Sequence, residues 1–343
     1  VNVQGFYISM DDTTTMNIEH FVKQIAVDFG LGEVFSFSTM RGSANRLWKF
    51  HTSGGDFVVK EFPYDNIESI SERGEAARFE ANLIQNRFVV APEPICDQDG
   101  EYISIRTSSR GSPCAVRVHR WFEGQPPLVD DQAVVVQAGC SLRAIQEAGR
   151  SWSVSPTGSF LQENSDVLAV LDRYSISNSL NNIELGNAKG AIDNALELIH
   201  DGESLAGGWV YTHCDHKPEN CLSQGGTIAV LDWDECGHCH PRLEAVEAAL
   251  RWAGGAQPIR VRFMAFMIGY NASGQPIEQL HELDFAKWFA ALVSWFSFQG
   301  RRSLGDWPQV TELEKASAAE MARDTLLSLQ SSLDALPNWT RLI

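Results

Sequence analysis

One string constrains this chain more than any other. It is His213-Cys214-Asp215-His216-Lys217-Pro218-Glu219-Asn220, with Asp232 twelve residues beyond its end in Val230-Leu231-Asp232-Trp233-Asp234. Short apolar runs at 209–212, 221–222 and 228–231 surround it, so the pattern is strand, polar loop, then two more strands. Asp215 is able to take a proton and stands five residues before Asn220, an amide able to hold Mg²⁺. Asp232, at an apolar strand's end, supplies a carboxylate to the same metal under a nucleotide's phosphates. These are the parts of a phosphoryl-transfer centre.

The other parts of such a centre lie upstream in chain order. Lys60 closes the β-rich run Phe57-Val58-Val59-Lys60, where an ammonium suits nucleotide phosphates. Glu80 follows twenty residues later on a helical stretch and is expected to pair with Lys60, with Glu75 as the alternative partner. One hairpin before Lys60, the loop Arg41-Gly42-Ser43-Ala44-Asn45 is small enough for backbone N–H groups to approach phosphate oxygens, which makes Gly42, Ser43 and Asn45 candidates. His119, Arg120 and Trp121 fall where a strand leaves this region, and their backbone is expected to meet the nucleobase. Lys217 is placed to neutralise charge on the moving phosphoryl group. His213 is expected to brace the loop backbone. Asp234 is expected to support the metal or to attract a cationic acceptor.

Bulk properties narrow the partners. A formal net charge of −17 repels nucleic acid and anionic membranes and favours cationic ligands. No apolar run is long enough for a bilayer, and no basic start with an apolar core marks export, so the cytosol is the expected compartment. Seven Cys without an export signal argue against structural disulfides. Cys236-Gly237-His238-Cys239-His240 matches a haem-attachment string, and with Cys214, His216 and Cys221 it suggests zinc. A zinc site needs four converging ligands, which sequence does not show.

Periodicity predicts an α+β chain in two parts. Residues 1–124 read as a nucleotide-binding part. A polar lead-in at 1–15 precedes a helix capped by Asn17, then come five strands near 34–37, 47–50, 57–62, 102–106 and 115–122, with a helix over 66–86 ended by Pro92-Glu93-Pro94. Residues 125–343 read as a helical part carrying the catalytic loop and the acceptor site. Its helices are expected at 131–147, 159–173, 187–201, 240–253, 257–270, 276–297 and 309–335. Pro126-Pro127 marks the boundary.

Taken together, the Gly42–Asn45 loop, Val59-Lys60, Glu80, Trp121-Phe122-Glu123-Gly124, His213-Cys214-Asp215 with Asn220, and Leu231-Asp232-Trp233-Asp234 resemble the aminoglycoside phosphotransferase and choline-kinase-like branch of the protein-kinase-like fold, over roughly residues 18–300. The resemblance implies a two-lobed fold, with a small antiparallel β lobe and a larger helical lobe. It implies transfer of the γ-phosphoryl group of ATP or GTP, with Mg²⁺, to a hydroxyl of a small molecule. The acidic charge suits a cationic acceptor, either an aminoglycoside-type or other antibiotic, or an amino sugar or choline-like alcohol in metabolism. Departures stand at Cys214, His216 and Glu219, at Gln146 where a His is common, and at Glu244 where an Asp is usual.

Two other readings compete. The string is close to a protein-kinase catalytic loop, but 155 residues separate Lys60 from Asp215, Trp233-Asp234 replaces Phe-Gly, and no Ala-Pro-Glu string follows. A nucleotide-binding pseudoenzyme is the third reading, yet Lys60, Asp215, Asn220 and Asp232 are all present.

Overall fold

The computed structural model describes residues 12–40, 45–63, 67–108, 111–153, 164, 166–204, 208–307 and 310–343. Gly42 and Ser43 lie outside these residues, as do residues 1–11 and most of the start of the helix expected over 159–173. The chain divides into two compact units, one of residues 1–124 with 229–235, the other of residues 125–228 with 236–343.

In the first unit, helix α1 (Asp12–Asp28) precedes three antiparallel strands, β1 (Val34–Met40), β2 (Arg46–Thr52) and β3 (Gly55–Pro63). The helix expected to begin at Asn17 starts at Asp12. Helix α2 (Ile67–Gln85) follows, then β4 (Pro94–Ile95), β5 (Ile103–Thr107) and β6 (Pro113–Arg120). The sheet runs β1-β2-β3-β6-β4, with β5 also on β6. It has six strands rather than the five expected. Pro92 and Pro94 signal a break, and a two-residue strand carries no period of its own, so β4 is not readable locally.

Strand alternation gives this sheet two different faces. Ile18, Phe21, Val22 and Ile25 of α1 pack with Trp48, Phe50, Phe57, Val59, Val116 and Val118, all buried, as the apolar face. The intervening residues of β3 and β6 point the other way, and the register sets Lys60 directly opposite Arg117. Segment 229–235 joins this unit through a parallel bridge of Ala229 with Val90 and through the edge of Trp233 against Phe79, with ring centroids 6.4 Å apart.

The second unit is mainly helical. It contains α3 (Gln132–Gly149), α4 (Val167–Ser177), α5 (Asn182–Glu203), α6 (Pro241–Ala253), α7 (Arg260–Tyr270), α8 (Ala286–Ser303) and α9 (Glu312–Trp339). Side-chain caps fix three starts: Asp131 accepts from the N–H of Ala133, and Asn181/Glu184 and Thr311/Glu314 form reciprocal capping boxes. The helix expected over 276–297 begins ten residues later, because a 3₁₀ turn, Glu282–Phe285, comes first. Helices α3 and α7 meet through glycines. A Cβ on Gly139 would lie 2.1 Å from the carbonyl oxygen of Phe266, and one on Gly269 would lie 1.8 Å from that of Val136. Nothing larger fits that crossing.

Three short strands accompany the helices, β7 (Val210–Thr212), β8 (Cys221–Gln224) and β10 (Gly237–Cys239), which pairs antiparallel with β7, while β9 (Thr227–Val230) ends in the first unit's segment. Strand β10 is absent from the expectation, where those residues read only as a flank. Among the described residues no helix is long and apolar enough to cross a membrane.

Candidate active site

The predicted residues form two clusters, one in each unit. In the second unit β7 ends at Thr212 and the chain enters the loop with Cys214 in the left-handed region at φ 62°. Among the described residues only Arg87, Ser179, Cys214 and Asp232 share that conformation without being glycine, and two of the four fall on the predicted chemistry. Such backbone persists only where surrounding contacts hold it.

Those contacts are visible for Cys214. Its N–H donates to Oε1 of Glu244 at 2.7 Å, and its carbonyl accepts from Nζ of Lys287 at 2.5 Å. Both side chains are buried. Glu244 takes a second donor from Nε2 of Gln146 at 2.7 Å, and Tyr270 donates to Oε1 of Gln146 at 2.7 Å. Burial works against charge on Lys287, but Glu247, with Nζ 3.6 Å from its carboxylate, acts together with Cys239, Cys214 and Glu244 to hold the ammonium above the ordinary lysine range. Nothing in the sequence reading assigned Lys287 a role. The available signal was a lone Lys in the apolar helix start Ala286-Lys287-Trp288-Phe289. Replacing Lys287 with Met strands Glu247 and an unfulfilled carbonyl, although Arg251 remains 2.7 Å from Glu247. We expect a loss of about 3 kcal/mol in chemical unfolding; unchanged stability would show that the lysine holds nothing.

Beyond Cys214, His213 accepts the N–H of Asp215 on Nδ1 at 3.3 Å. Pro218 opens a 3₁₀ turn, Pro218–Asn220, that swings Asn220 back over Asp215. The Asn220 amide nitrogen donates to the carbonyl oxygen of Asp215 at 3.0 Å and to its Oδ2 at 2.8 Å. Lys217 Nζ donates to the same Oδ2 at 2.6 Å. Asp215, Lys217 and Asn220 are therefore one hydrogen-bonded group. Because the amide nitrogen of Asn220 faces Asp215, its Oδ1 is turned elsewhere, the orientation a hard cation requires.

His216 looks inward, away from this chemistry. Trp252 donates to its Nδ1 at 3.3 Å, so Nε2 carries the proton and donates to Ser141 Oγ at 3.0 Å, which in turn donates to Ala138 at 2.8 Å. Burial first, and His213 second, push its pKa down to about 3. The unfolded ring titrates near 6.5. As pH falls from about 6.5 towards 3, the unfolded chain binds a proton that the folded chain refuses, so stability held above that window is lost within it. The slope is about 1.4 kcal/mol per pH unit. Unfolding measured across this range should show it, and His216→Phe should flatten it; an equal slope in the variant would contradict the assignment.

The Cys/His group after Asp232 does not converge. Alternation along β10 points His238 and Cys239 to opposite faces. His238 lies edge-on to Tyr211 at 5.4 Å, whereas Cys239 is buried. Among the described residues no three His, Cys, Asp or Glu side chains are grouped to hold a metal.

In the first unit Lys60 Nζ donates to Asp232 Oδ1 at 2.6 Å and to Asp234. Burial opposes its charge, but Asp234 and then Asp232 outweigh that and hold its pKa above the usual lysine value. The carboxylates on Lys60 are thus Asp232 and Asp234, not the expected Glu80. Glu80, fully buried on α2, pairs with Arg117 and with His119 Nε2 at 3.1 Å. The alternative, Glu75, pairs with Arg78 at 2.8 Å. The physical reason is the β3–β6 register, which puts an Arg opposite Lys60 and nearer to α2's carboxylate. Arg117 was missed, although a lone Arg in the buried run Cys114-Ala115-Val116-Arg117-Val118 was a readable signal.

At the strand exit two of the backbone donors are engaged within the first unit. The N–H groups of Arg120 and Trp121 donate to the carbonyls of Glu93 and Asp56, both at 2.8 Å, so these two donors are spent inside the protein. The Trp121 indole donates to Glu123 at 2.7 Å and its ring carries Lys49 Nζ 3.7 Å above the centroid. Asn45 stands in a bend just before β2.

Residues 40–276 match the phosphotransferase enzyme family, APH. The chain belongs to that family of phosphotransferases. None of the curated proteins compared matches its sequence. Among solved structures it is similar to a microcompartment-associated aminopropanol kinase (15% identity, 94% of this chain and 100% of that one, TM-score 0.65). It is similar to an amicoumacin kinase in complex with AMP-PNP, Ca²⁺ and Ami (13%, 92% and 96%, TM-score 0.63). A third similar structure is the choline kinase LicA from Streptococcus pneumoniae (13%, 91% and 99%, TM-score 0.59). The likeness is one of fold, the protein-kinase-like arrangement of an antiparallel β lobe and a larger helical lobe.

Proposed function

We propose that this phosphotransferase moves the γ-phosphoryl group of ATP or GTP to a hydroxyl of a cationic small molecule, most directly an aminoglycoside-type or other basic antibiotic. The observation that carries this reading is the group formed by Asp215, Lys217 and Asn220: Lys217 at 2.6 Å and Asn220 at 2.8 Å hold one carboxylate oxygen of Asp215, which fixes its orientation. Asp215 then orients the acceptor hydroxyl and takes its proton, and Lys217 offsets charge on the transferring group. A loose transition state asks little more of the protein than such positioning.

Asn220 Oδ1 and the Asp232 carboxylate are the proposed ligands of Mg²⁺. Their oxygen donors suit this hard ion, which keeps several positions for phosphates and water. Bound there, Mg²⁺ neutralises phosphate charge. Lys60 holds nucleotide phosphates, and Gly42, Ser43 and Asn45 are the proposed backbone cradle for them. In this reading residues 1–124 serve the nucleotide, and residues 125–343 supply the catalytic loop, the metal ligands and the acceptor site. A nucleoside triphosphate donor supports a cytoplasmic location.

The charge of −17 supports a cationic acceptor. Aminopropanol and choline kinases share the fold, which favours, as a second reading, a metabolic kinase for an amino sugar or choline-like alcohol. Label from γ-labelled ATP should appear on a hydroxyl of one such amine, and the acceptor's KM should rise with ionic strength. Label that never leaves ATP across both classes would defeat the proposal, and a salt-independent KM would defeat its cationic part.

A further inference from the structure

Two cations and three carboxylates meet on the face of the first unit's sheet opposite to α1. Lys60 and Arg117 stand opposite each other across β3 and β6. Glu80 pairs with Arg117, Arg117 Nη1 lies 3.4 Å from Asp234 Oδ1, and Asp234 and Asp232 both receive Lys60. The exposures run in the same order. The side chains of Arg117 and Glu80 are 1% exposed, those of Asp234 and Lys60 12% and 14%, and that of Asp232 43%. Charges alternate from the buried end to the open end: Glu80, Arg117, Asp234, Lys60, Asp232.

Resting on the nucleotide reading above, we infer that Asp234, braced by Arg117, is the carboxylate that positions Lys60 for the nucleotide's phosphates, and that Glu80 acts on Arg117 rather than on Lys60. Lys60 needs a carboxylate that stays with it once phosphates and metal arrive. Asp232, the most open of the set and a proposed metal ligand, is drawn to the metal. Asp234 is shielded and is held from its far side by a guanidinium, so it remains with Lys60. Glu80 is already engaged: Arg117 and His119 both reach it. Arg117 therefore reassigns the helix carboxylate, and Asp234 takes over the positioning role.

The test is calorimetric titration of Mg²⁺ with AMP-PNP into the full chain, alongside thermal unfolding of each variant without ligand. Asp234→Asn should weaken nucleotide binding about tenfold or more, whereas Glu80→Gln should weaken it distinctly less. Lys60→Met and the double variant Lys60→Met/Asp234→Asn should bind alike, because Asp234 acts through the ammonium. A purely structural role for Asp234 would instead add its loss to that of Lys60→Met. If Asp234→Asn does not fold, the milder pair Asp234→Glu and Glu80→Asp should keep the same order. Wild-type affinity in Asp234→Asn, a larger loss in Glu80→Gln, or additive losses in the double variant would each overturn the inference alone. Failure of the wild-type chain to bind any nucleotide would bring down the nucleotide reading, and this inference with it.

Discussion

Asp215→Ala should bind Mg²⁺-nucleotide about as tightly as the wild type while its turnover falls by about 10²–10⁴-fold, the usual worth of a positioned proton acceptor. The separation between binding and turnover follows from the contacts. The Asp215 carboxylate is held by Lys217 and Asn220 within its own loop, and the backbone around it is held independently by Glu244 and Lys287 through Cys214. Removing the carboxylate leaves those backbone anchors in place. It also releases Lys217 from an ion pair, and that ammonium keeps its proposed role of offsetting phosphate charge. Stopped-flow binding and steady-state turnover on the same preparation check both halves. Turnover near wild type would remove Asp215 from the role of base, and a parallel collapse of nucleotide affinity would show that it acts as a metal ligand instead.

Asp232→Ala is expected to lose both properties. Its carboxylate is the proposed metal ligand and also receives Lys60 at 2.6 Å. The loss of metal-borne charge stabilisation, worth several kcal/mol, corresponds to about 10³-fold or more in turnover. Nucleotide affinity should fall about tenfold or more in the presence of Mg²⁺ and much less in its absence. Equal affinities with and without Mg²⁺ in both wild type and variant would contradict the metal role. The left-handed backbone at Asp232, φ 56°, adds a control. Asp232→Asn keeps a residue type that tolerates this conformation, so it should retain stability better than Asp232→Ala while losing metal dependence just as far.

What the sequence made legible was local. The loop from His213 to Asn220 is contiguous, so its hydrogen-bonded group of Asp215, Lys217 and Asn220 could be anticipated from spacing. Lys60's strand followed from a β-rich run and a turn signal, although it extends over Gly55–Pro63 rather than 57–62. What escaped was set by pairings across long separations. Arg117 decides the partner of Glu80, yet it does so only because β6 lies beside β3 in one particular register, with α2 and two strands between them in the chain. Lys287 reaches the loop from 73 residues away, and in the sequence it is a single Lys among apolar neighbours. Strand β4 escaped because prolines advertise a break and two residues show no period. The start of α8 was misplaced because Ile277 and Leu280 are buried and apolar, as a helix face would be, yet precede a 3₁₀ turn.

The proposed reaction is phosphoryl transfer to a cationic hydroxyl compound with Asp215 as the base. The most direct test is Mg²⁺-dependent release of ADP and GDP over a panel of aminoglycosides, other basic antibiotics, amino sugars and amino alcohols, with Asp215→Ala as the blank. At least one amine-bearing alcohol should drive diphosphate release in the wild type, and the same compound should give none in Asp215→Ala. Release that persists undiminished in Asp215→Ala, or nucleotide that binds and is never consumed with any member of the panel, would contradict it.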